Sequence, residues 1–201
     1  MPIRQYQRSY EICDVKFIAY NAIIIGILPK EYIMKHLWLI LVALFTGCVE
    51  RPKHVTPVEH FQLERYLGTW YEVARLDHSF ERGLEKITAT YSMREDGSVK
   101  VINRGFDTKN KRWKEAEGKA YFAENTDIGF LKVSFFGPFY GAYVIMDTDY
   151  ESYAMISGPD HSYFWILSRT PQLDPKMQSR LIQKAKKAGF ETEKLIFVSH
   201  E

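Results

Sequence analysis

Cysteine is scarce in this chain, and its position excludes several kinds of site. The 201 residues contain two cysteines, Cys13 and Cys48, and both precede the part of the chain that is patterned like a folded domain. A disulfide framework and a thiolate zinc site both need cysteine side chains, so neither is expected after Cys48. An enzyme that uses a thiol nucleophile in this part is excluded for the same reason.

An excess of one charge is also missing. The chain has 27 Lys and Arg residues against 25 Asp and Glu residues, and the two signs balance after Cys48. No basic stretch is dense enough to neutralise a row of phosphates, which argues against nucleic acid as a partner.

Recognisable motifs for catalysis or metal binding are absent. There is no Gly-x-Ser-x-Gly elbow, no glycine-rich phosphate cradle and no metal spacing among the histidines. The run Asp147-x-Asp149-x-Glu151 begins like a calcium loop, but Ser152 stands where glycine is needed and Gly158 where the last acid should be. We expect no metal, no cofactor and no enzymatic activity, although carboxylates that meet only in the fold leave a hydrolase open.

The apolar run near the N-terminus is too short to span a bilayer. Residues 37–45 are apolar, about half of the roughly 20 residues that a spanning helix needs. The basic stretch Met34-Lys35-His36 precedes this run and Thr46-Gly47-Cys48 follows it. This order predicts that residues 34–47 are a lipoprotein signal peptide.

A cysteine directly after small residues resembles the bacterial lipobox, although Phe45 stands where leucine or a small aliphatic residue is usual. The resemblance implies that Cys48 receives a diacylglycerol and that the new amino terminus is acylated, which makes anchoring stable. Val49 is not the aspartate associated with inner-membrane retention, so the outer membrane is favoured. The alternative is an uncleaved signal anchor with an incidental cysteine.

The segments on either side of the signal carry separate predictions. Residues 1–33 are interpreted as upstream sequence with Met34 as the true start; the rival is a long signal, or a transmembrane helix from Phe17 onward. Pro52, Pro57 and mixed charges indicate that residues 48–64 form a lipidated, flexible tether. Residues 65–201 are predicted to be the folded domain.

Alternating apolar and polar residues predict an all-β domain. Turn signals separate eight short stretches, and eight antiparallel strands in sequence can close into an up-and-down barrel. The predicted strands are 70–76, 86–93, 99 to the turn at 108, 113–124, 127–136, 142–147, 153–157 and 163–169, with a loop at 137–141. A C-terminal helix is capped by Asp174, begins at Pro175 and ends at Gly189, and its apolar face suits packing outside the barrel.

One pair of residues predicts where the barrel closes. Trp70, two residues after Gly68 at the start of the first strand, can stack on Arg169 at the end of the last strand. Such a cation–π pair, shielded from water, contributes roughly 1–2 kcal/mol. We expect Gly68, Trp70 and Arg169 to hold one end shut, and the other end to be open.

Three regions resemble the signatures of the lipocalins: Gly68-x-Trp70, Thr148-Asp149-Tyr150, and Arg169 followed by a helix. The resemblance covers residues 66–198, and Cys48 narrows it to the bacterial outer-membrane lipocalins. It implies binding of fatty acids, lysophospholipids or related amphiphiles at the inner face of the outer membrane. The alternative is a structural or interaction lipoprotein whose barrel is filled by its own side chains.

Residues two apart on a strand share a face, so parity predicts which side chains see a ligand. The predicted inward set is Ala89, Tyr91, Val101, Asn103, Ala116, Gly118, Ala120, Leu131, Val133, Phe135, Ala154, Ile156, Tyr163 and Trp165. Among these, Asn103 and Tyr91 are the expected polar anchors for a head group. The loop at residues 77–83 would lie over the open mouth, either as a gate or as a solvated connection.

Overall fold

The computed structural model describes residues 49–201. The predictions for residues 1–33, for the signal at 34–47 and for Cys48 therefore lie outside the described residues. Within the described part, the closed sheet, its apolar cores and the packed helix are all built from Val49–Glu201, which form one compact unit. This part contains a complete core of its own and is expected to fold as an independent domain.

Eight antiparallel strands close into a barrel, as predicted. Each strand pairs with the next along the chain, and the first strand also pairs with the eighth, so the sheet has no open edge. The strands are β1 Gly68–Arg75, β2 Leu84–Met93, β3 Val99–Asp107, β4 Arg112–Phe122, β5 Phe130–Phe136, β6 Phe139–Thr148, β7 Tyr153–Ser157 and β8 Phe164–Ser168.

The two ends of the barrel differ in what covers them. A short helix, α1 (Leu63–Tyr66), immediately precedes β1 at the end where β8 finishes, and we name this the closed end. The opposite end carries the β1–β2, β3–β4, β5–β6 and β7–β8 loops, and we name it the open end. Strand β6 begins already at Phe139, so the loop predicted at residues 137–141 shrinks to the turn Gly137–Pro138.

A helix packs outside the barrel after β8, as predicted. Helix α2 (Pro175–Lys187) begins where Asp174 accepts a hydrogen bond from the backbone N–H of Met177 at 2.9 Å. Its Leu181 and Ala185 are fully buried in a core that includes Phe164 and Phe190. A 3₁₀ turn (Thr192–Lys194) then leads into β9 (Ile196–Phe197), which pairs with β1 outside the closed barrel.

The segment before α1 differs from the predicted flexible tether. Val55 and Phe61 are buried in the two apolar cores. Val58 donates its backbone N–H to Ile145 at 2.9 Å and accepts one from Gly129 at 2.9 Å. The folded domain therefore begins before the predicted boundary at residue 65, because apolar side chains of this segment find partners in the two cores of the barrel.

Candidate functional site

The open half of the barrel encloses a cavity of about 580 Å³. Apolar and aromatic side chains dominate its walls, and a few polar groups stand among them, which is the usual composition of a small-molecule site. The cavity is bounded by residues from every barrel strand and from the β1–β2 loop, among them Phe80, Glu81, Leu84, Asn103, Ala116, Tyr143 and Trp165.

Most of the predicted inward residues lie in the wall of this one cavity. They are Ala89, Tyr91, Val101, Asn103, Ala116, Val133, Phe135, Ile156, Tyr163 and Trp165. The remaining predicted residues, Gly118, Ala120, Leu131 and Ala154, do not line it. The last three are buried in the core of the closed half, because parity predicts which face a side chain occupies but not how far along the barrel the packing extends.

Gly118 has a role other than lining the cavity. A Cβ atom at this position would lie 2.8 Å from the ring of Phe135 and 3.0 Å from the backbone oxygen of Ser134. The absent side chain therefore makes space for the Phe135 ring, which reaches inward and contributes to the cavity wall. The strand keeps its glycine for close packing of a neighbour.

Three tyrosines separate the cavity from the filled closed half. The hydroxyl of Tyr143 lies 2.7 Å from the hydroxyl of Tyr66 and 2.7 Å from that of Tyr91. Burial raises the pKa of each of the three tyrosines, so they stay protonated and neutral. The hydroxyl of Tyr91 is thus already engaged, and it is less free to bind a head group than we predicted.

Asn103 presents an acceptor without a protein partner. Its Oδ1 is buried and has no hydrogen-bond partner among residues 49–201, and the side chain lines the cavity. Asn103 pairs with Ala89 and Ala116 on the neighbouring strands, so two small side chains flank it. A buried carbonyl without a partner is unfavourable, and a ligand group that donates a hydrogen bond would relieve it.

A buried charged cluster forms another part of the wall. Arg75 donates to Glu72 Oε1 at 2.8 Å and to the backbone oxygen of Glu81 at 3.1 Å. His78 Nε2 lies 2.9 Å from Glu81 Oε2, and Trp165 donates its Nε1–H to the same oxygen at 3.2 Å. Glu72, Glu81 and Trp165 also line the cavity, so this cluster joins the β1–β2 loop to the barrel interior.

The two carboxyl groups of this cluster have pKa values that move in opposite directions. Burial raises the pKa of Glu72 well above its usual value, and the neighbouring Glu81 raises it further, against the lowering by Arg75. Burial alone would raise the pKa of Glu81 too, but its contacts with His78 and Trp165 outweigh burial and lower it. The raised pKa of Glu72 limits the negative charge that accumulates beside the apolar cavity, where an unpaired charge is costly.

The closed end is held by the predicted pair. The guanidinium carbon of Arg169 lies 3.7 Å from the centre of the Trp70 ring. The same guanidinium donates to backbone oxygens of Arg65 at 2.7 Å, Thr69 at 3.1 Å and Tyr150 at 3.0 Å. Gly68 has a φ of +95° and faces the guanidinium, so both its backbone conformation and its lack of a side chain suit this position.

The third signature region is a turn at the same end. Asp149 accepts backbone N–H bonds from Ser152 at 2.8 Å and from Tyr153 at 3.0 Å. It therefore caps the β6–β7 turn.

No group of three or more His, Cys, Asp or Glu side chains in the described part of the chain is arranged to hold a metal ion. Neither helix between Val49 and Glu201 is long and apolar enough to cross a bilayer.

Tyr143 and the charged cluster are absent from the predicted site. Parity on β6 could have found Tyr143, since it shares a face with the buried Ile145. Parity with Trp70 also places Glu72 on the inner face, but a single charged residue in a barrel strand is normally predicted to face solvent. Only the fold shows that Arg75 pairs with Glu72 and that burial beside Glu81 raises the pKa of this carboxyl group.

Comparisons with known proteins agree with this architecture. A family model described as a lipocalin-like domain matches residues 61–200. The outer membrane lipoprotein Blc of Vibrio cholerae is 52% identical over 171 residues, which cover 84% of this chain and 100% of that protein. Outer membrane lipoprotein Blc of Escherichia coli K12 is 51% identical over 148 residues, 73% of this chain and 84% of that protein.

Among solved structures, insecticyanin from the tobacco hornworm Manduca sexta superposes with a TM-score of 0.62 at 21% identity, covering 77% of this chain and 90% of that one. This likeness concerns the fold alone. It agrees with the predicted barrel. The family model and the Blc relatives, which are about 50% identical, place the chain among binding proteins and not among enzymes, as predicted. The chain belongs to the lipocalin family of binding proteins.

Proposed function

We propose that this protein is a lipid-anchored carrier of small amphiphiles, such as fatty acids or lysophospholipids, at the outer membrane. The observation that carries the proposal is the cavity of about 580 Å³ in the open half of the barrel. Its walls are apolar, so burying an acyl chain there is favourable by roughly 25 cal/mol for each Å² of apolar surface removed from water.

The placement of polar groups favours an orientation in which the acyl chain of the ligand points toward the floor of the cavity. At the floor, the hydroxyls of Tyr66, Tyr91 and Tyr143 bond to one another and leave little for a head group. The buried acceptor on Asn103 and the cluster at Glu72 lie higher in the wall. A head group would therefore stay near these residues or at the mouth, while the chain lies against apolar side chains.

The same cavity favours a carrier over a structural lipoprotein with a filled barrel. Only the closed half is filled, by Trp70, Tyr66 and their neighbours. In the open half Ala116 is exposed, although its side chain belongs to the inward face of β4 and lines the cavity. A barrel that served only as a scaffold would have no use for this space.

The location rests on the N-terminal segment and on the relatives. Cys48 as the lipid-attachment site, residues 34–47 as the signal and residues 1–33 as upstream sequence are parts of the proposal. The names of the Vibrio cholerae and Escherichia coli relatives, outer membrane lipoprotein Blc, support an outer-membrane location. Replacing Cys48 with Ala should leave a folded but unlipidated protein, and mass spectrometry of the mature N-terminus measures this directly.

Native mass spectrometry of residues 49–201 with a lysophospholipid below its critical micelle concentration tests the binding. The expected result is a one-to-one adduct. Ala116→Trp should fill the cavity and abolish the adduct, since the side chain at 116 points into free space. Glu117→Trp, on the outer face of the same strand, is the matched control and should bind like the wild type. Absence of an adduct across several chain lengths would overturn the proposal.

A further inference from the structure

Three phenylalanines surround the opening of the cavity and are largely exposed. The exposed fractions are 59% for Phe80, 81% for Phe136 and 71% for Phe139. Phe80 lies in the β1–β2 loop, and the other two flank the Gly137–Pro138 turn between β5 and β6. All three also line the cavity, so they stand between the cavity and the outside.

Phenylalanine is usually buried, and a group of exposed apolar side chains edged by polar residues marks a surface that contacts another molecule or a membrane. The rings sit on two separate loops around an opening, Phe80 on one and Phe136 with Phe139 on the other, so they do not form a flat face. A folded protein that covered all three would also cover the opening of the cavity that lies between them. A bilayer would instead take up the rings individually and leave the space between them open to its acyl chains.

Basic side chains stand at the same end. Lys109, Lys111 and Arg112 are exposed in the β3–β4 turn and its edge, and they form no ion pair within residues 49–201. In contrast, Lys114 pairs with Asp107 at 2.7 Å. Arg82 at this end is paired with Asp77 at 2.6 Å.

Glu115 and Asp160 add negative charge to this end. Neither lies within the run Lys109 to Arg112, so that turn presents a local positive surface. Positive charge beside inserted aromatic rings is the combination that an anionic lipid surface attracts.

We propose that the open end docks on an anionic lipid bilayer, with Phe80, Phe136 and Phe139 inserted among the lipids and Lys109, Lys111 and Arg112 over the head groups. The cavity then opens directly onto the bilayer, and cargo passes between the two without crossing water. This inference goes beyond the proposed function, because a carrier could equally load its cargo from solution.

Co-sedimentation of residues 49–201 with vesicles tests the docking without any contribution from an acyl anchor. Vesicles of phosphatidylethanolamine and phosphatidylglycerol in a 3:1 ratio should bind the domain, and phosphatidylcholine vesicles should bind it at least about tenfold more weakly. Binding should weaken steeply between 50 mM and 500 mM salt. Circular dichroism melts on every variant verify that it is folded.

Two sets of variants locate the contact. The double variant Phe136→Ser, Phe139→Ser should bind the anionic vesicles about tenfold or more weakly, because two apolar rings are removed. Met93→Ser is its control, since Met93 is 49% exposed at the opposite end, and it should bind like the wild type. The triple variant Lys109→Gln, Lys111→Gln, Arg112→Gln should lose the preference for anionic lipid. Lys176→Gln, at the start of α2 and away from the open end, should keep it.

Failure of this inference is distinguishable from failure of the proposed function. The triple variant in the β3–β4 turn should retain the lysophospholipid affinity measured without vesicles, since these residues do not line the cavity. If the Phe136→Ser, Phe139→Ser variant binds vesicles as well as the wild type does, the docking proposal is wrong and the carrier proposal is unaffected. If sedimentation velocity instead shows a dimer that this change dissociates, the rings join two copies of the chain and the membrane proposal is wrong.

Discussion

The guanidinium of Arg169 lies 3.7 Å from the centre of the Trp70 ring and also donates to backbone oxygens of the segment around α1. One side chain thus joins the end of β8 to the start of β1 and to the helix that covers the closed end. Its contacts are all on the side away from the cavity, so we expect it to stabilise the fold without contacting cargo.

Arg169→Ala should therefore lower the free energy of unfolding by about 2–4 kcal/mol, because several backbone carbonyls lose their donor and Trp70 loses its partner. Urea unfolding followed by tryptophan fluorescence measures this loss. Lysophospholipid affinity, measured where the variant is still folded, should change less than threefold. A large loss of affinity with little loss of stability would place Arg169 in the binding site instead.

Removing the hydroxyl of Tyr143 should cost more than removing that of Tyr66. Tyr143 bonds both Tyr66 and Tyr91 at 2.7 Å, so Tyr143→Phe leaves two buried hydroxyls without this partner. We expect a loss of roughly 1–3 kcal/mol in the free energy of unfolding. Tyr66→Phe is the matched comparison, because it breaks only one of the two bonds. Equal losses would mean that the three hydroxyls do not act as one network.

The cluster at Glu72 should make stability depend on pH. The raised pKa of Glu72 means that the folded protein holds this proton more tightly than the unfolded chain. The stability that follows is complete below the usual glutamate pKa of 4.5 and is lost as pH rises through the folded-state pKa. Glu72→Gln keeps an acceptor for Arg75 and has no proton to lose. Relative to this variant, the wild type should lose up to about 1.4 kcal/mol of unfolding free energy per pH unit between the unfolded-state and the folded-state pKa of Glu72.

The contribution of Glu81 to stability should change with pH in the opposite direction, so Glu81 serves as the control for that measurement. Its pKa is lowered in the folded state, so the ionised form stabilises the fold above the unfolded pKa and the benefit is lost on acidification. Relative to Glu81→Gln, the wild type should gain stability as pH rises. If chemical unfolding at a series of pH values shows no pH dependence in either difference, the two carboxyls titrate normally.

Gly118→Ala should displace the Phe135 ring, since the new Cβ would lie 2.8 Å from it. Overpacking of this kind is expected to reduce the free energy of unfolding by about 1–3 kcal/mol. Combining the change with Phe135→Leu should recover part of the loss, because the smaller side chain vacates the contact. Strictly additive losses in this double-mutant cycle would show that the ring does not pack on Gly118.

The strand pattern predicted the barrel well because antiparallel strands with one buried face alternate strictly. Ala89, Val101 and Ile156 could be assigned to the inner face from parity alone, and they line the cavity. Parity carries no information on the position of a side chain along the barrel axis. Leu131 and Ala154 were therefore predicted to line the ligand site, although they lie in the core of the closed half. Their position depends on the large aromatic side chains that fill the closed half.

Long-range contacts account for the other differences. Val55 and Phe61 were predicted in a tether because prolines and mixed charges surround them, and only the folded barrel supplies the apolar surface that buries them. Glu72 and Glu81 are nine residues apart in sequence. Their contact depends on the path of the β1–β2 loop, and that path has no local signature beyond the loop residues themselves.

The close packing of the segment between Val49 and Phe61 has a mechanical consequence. A flexible segment would let the barrel rotate freely about the proposed anchor at Cys48, whereas here Pro52 and Val55 are buried and Arg51 lies 3.9 Å from Glu124. The domain would thus behave as a rigid body up to its first described residues. In the anchored protein that we propose, lengthening the chain before Val49 would change the distance between the barrel and the membrane, while substitutions within the packed segment would change the orientation of the barrel.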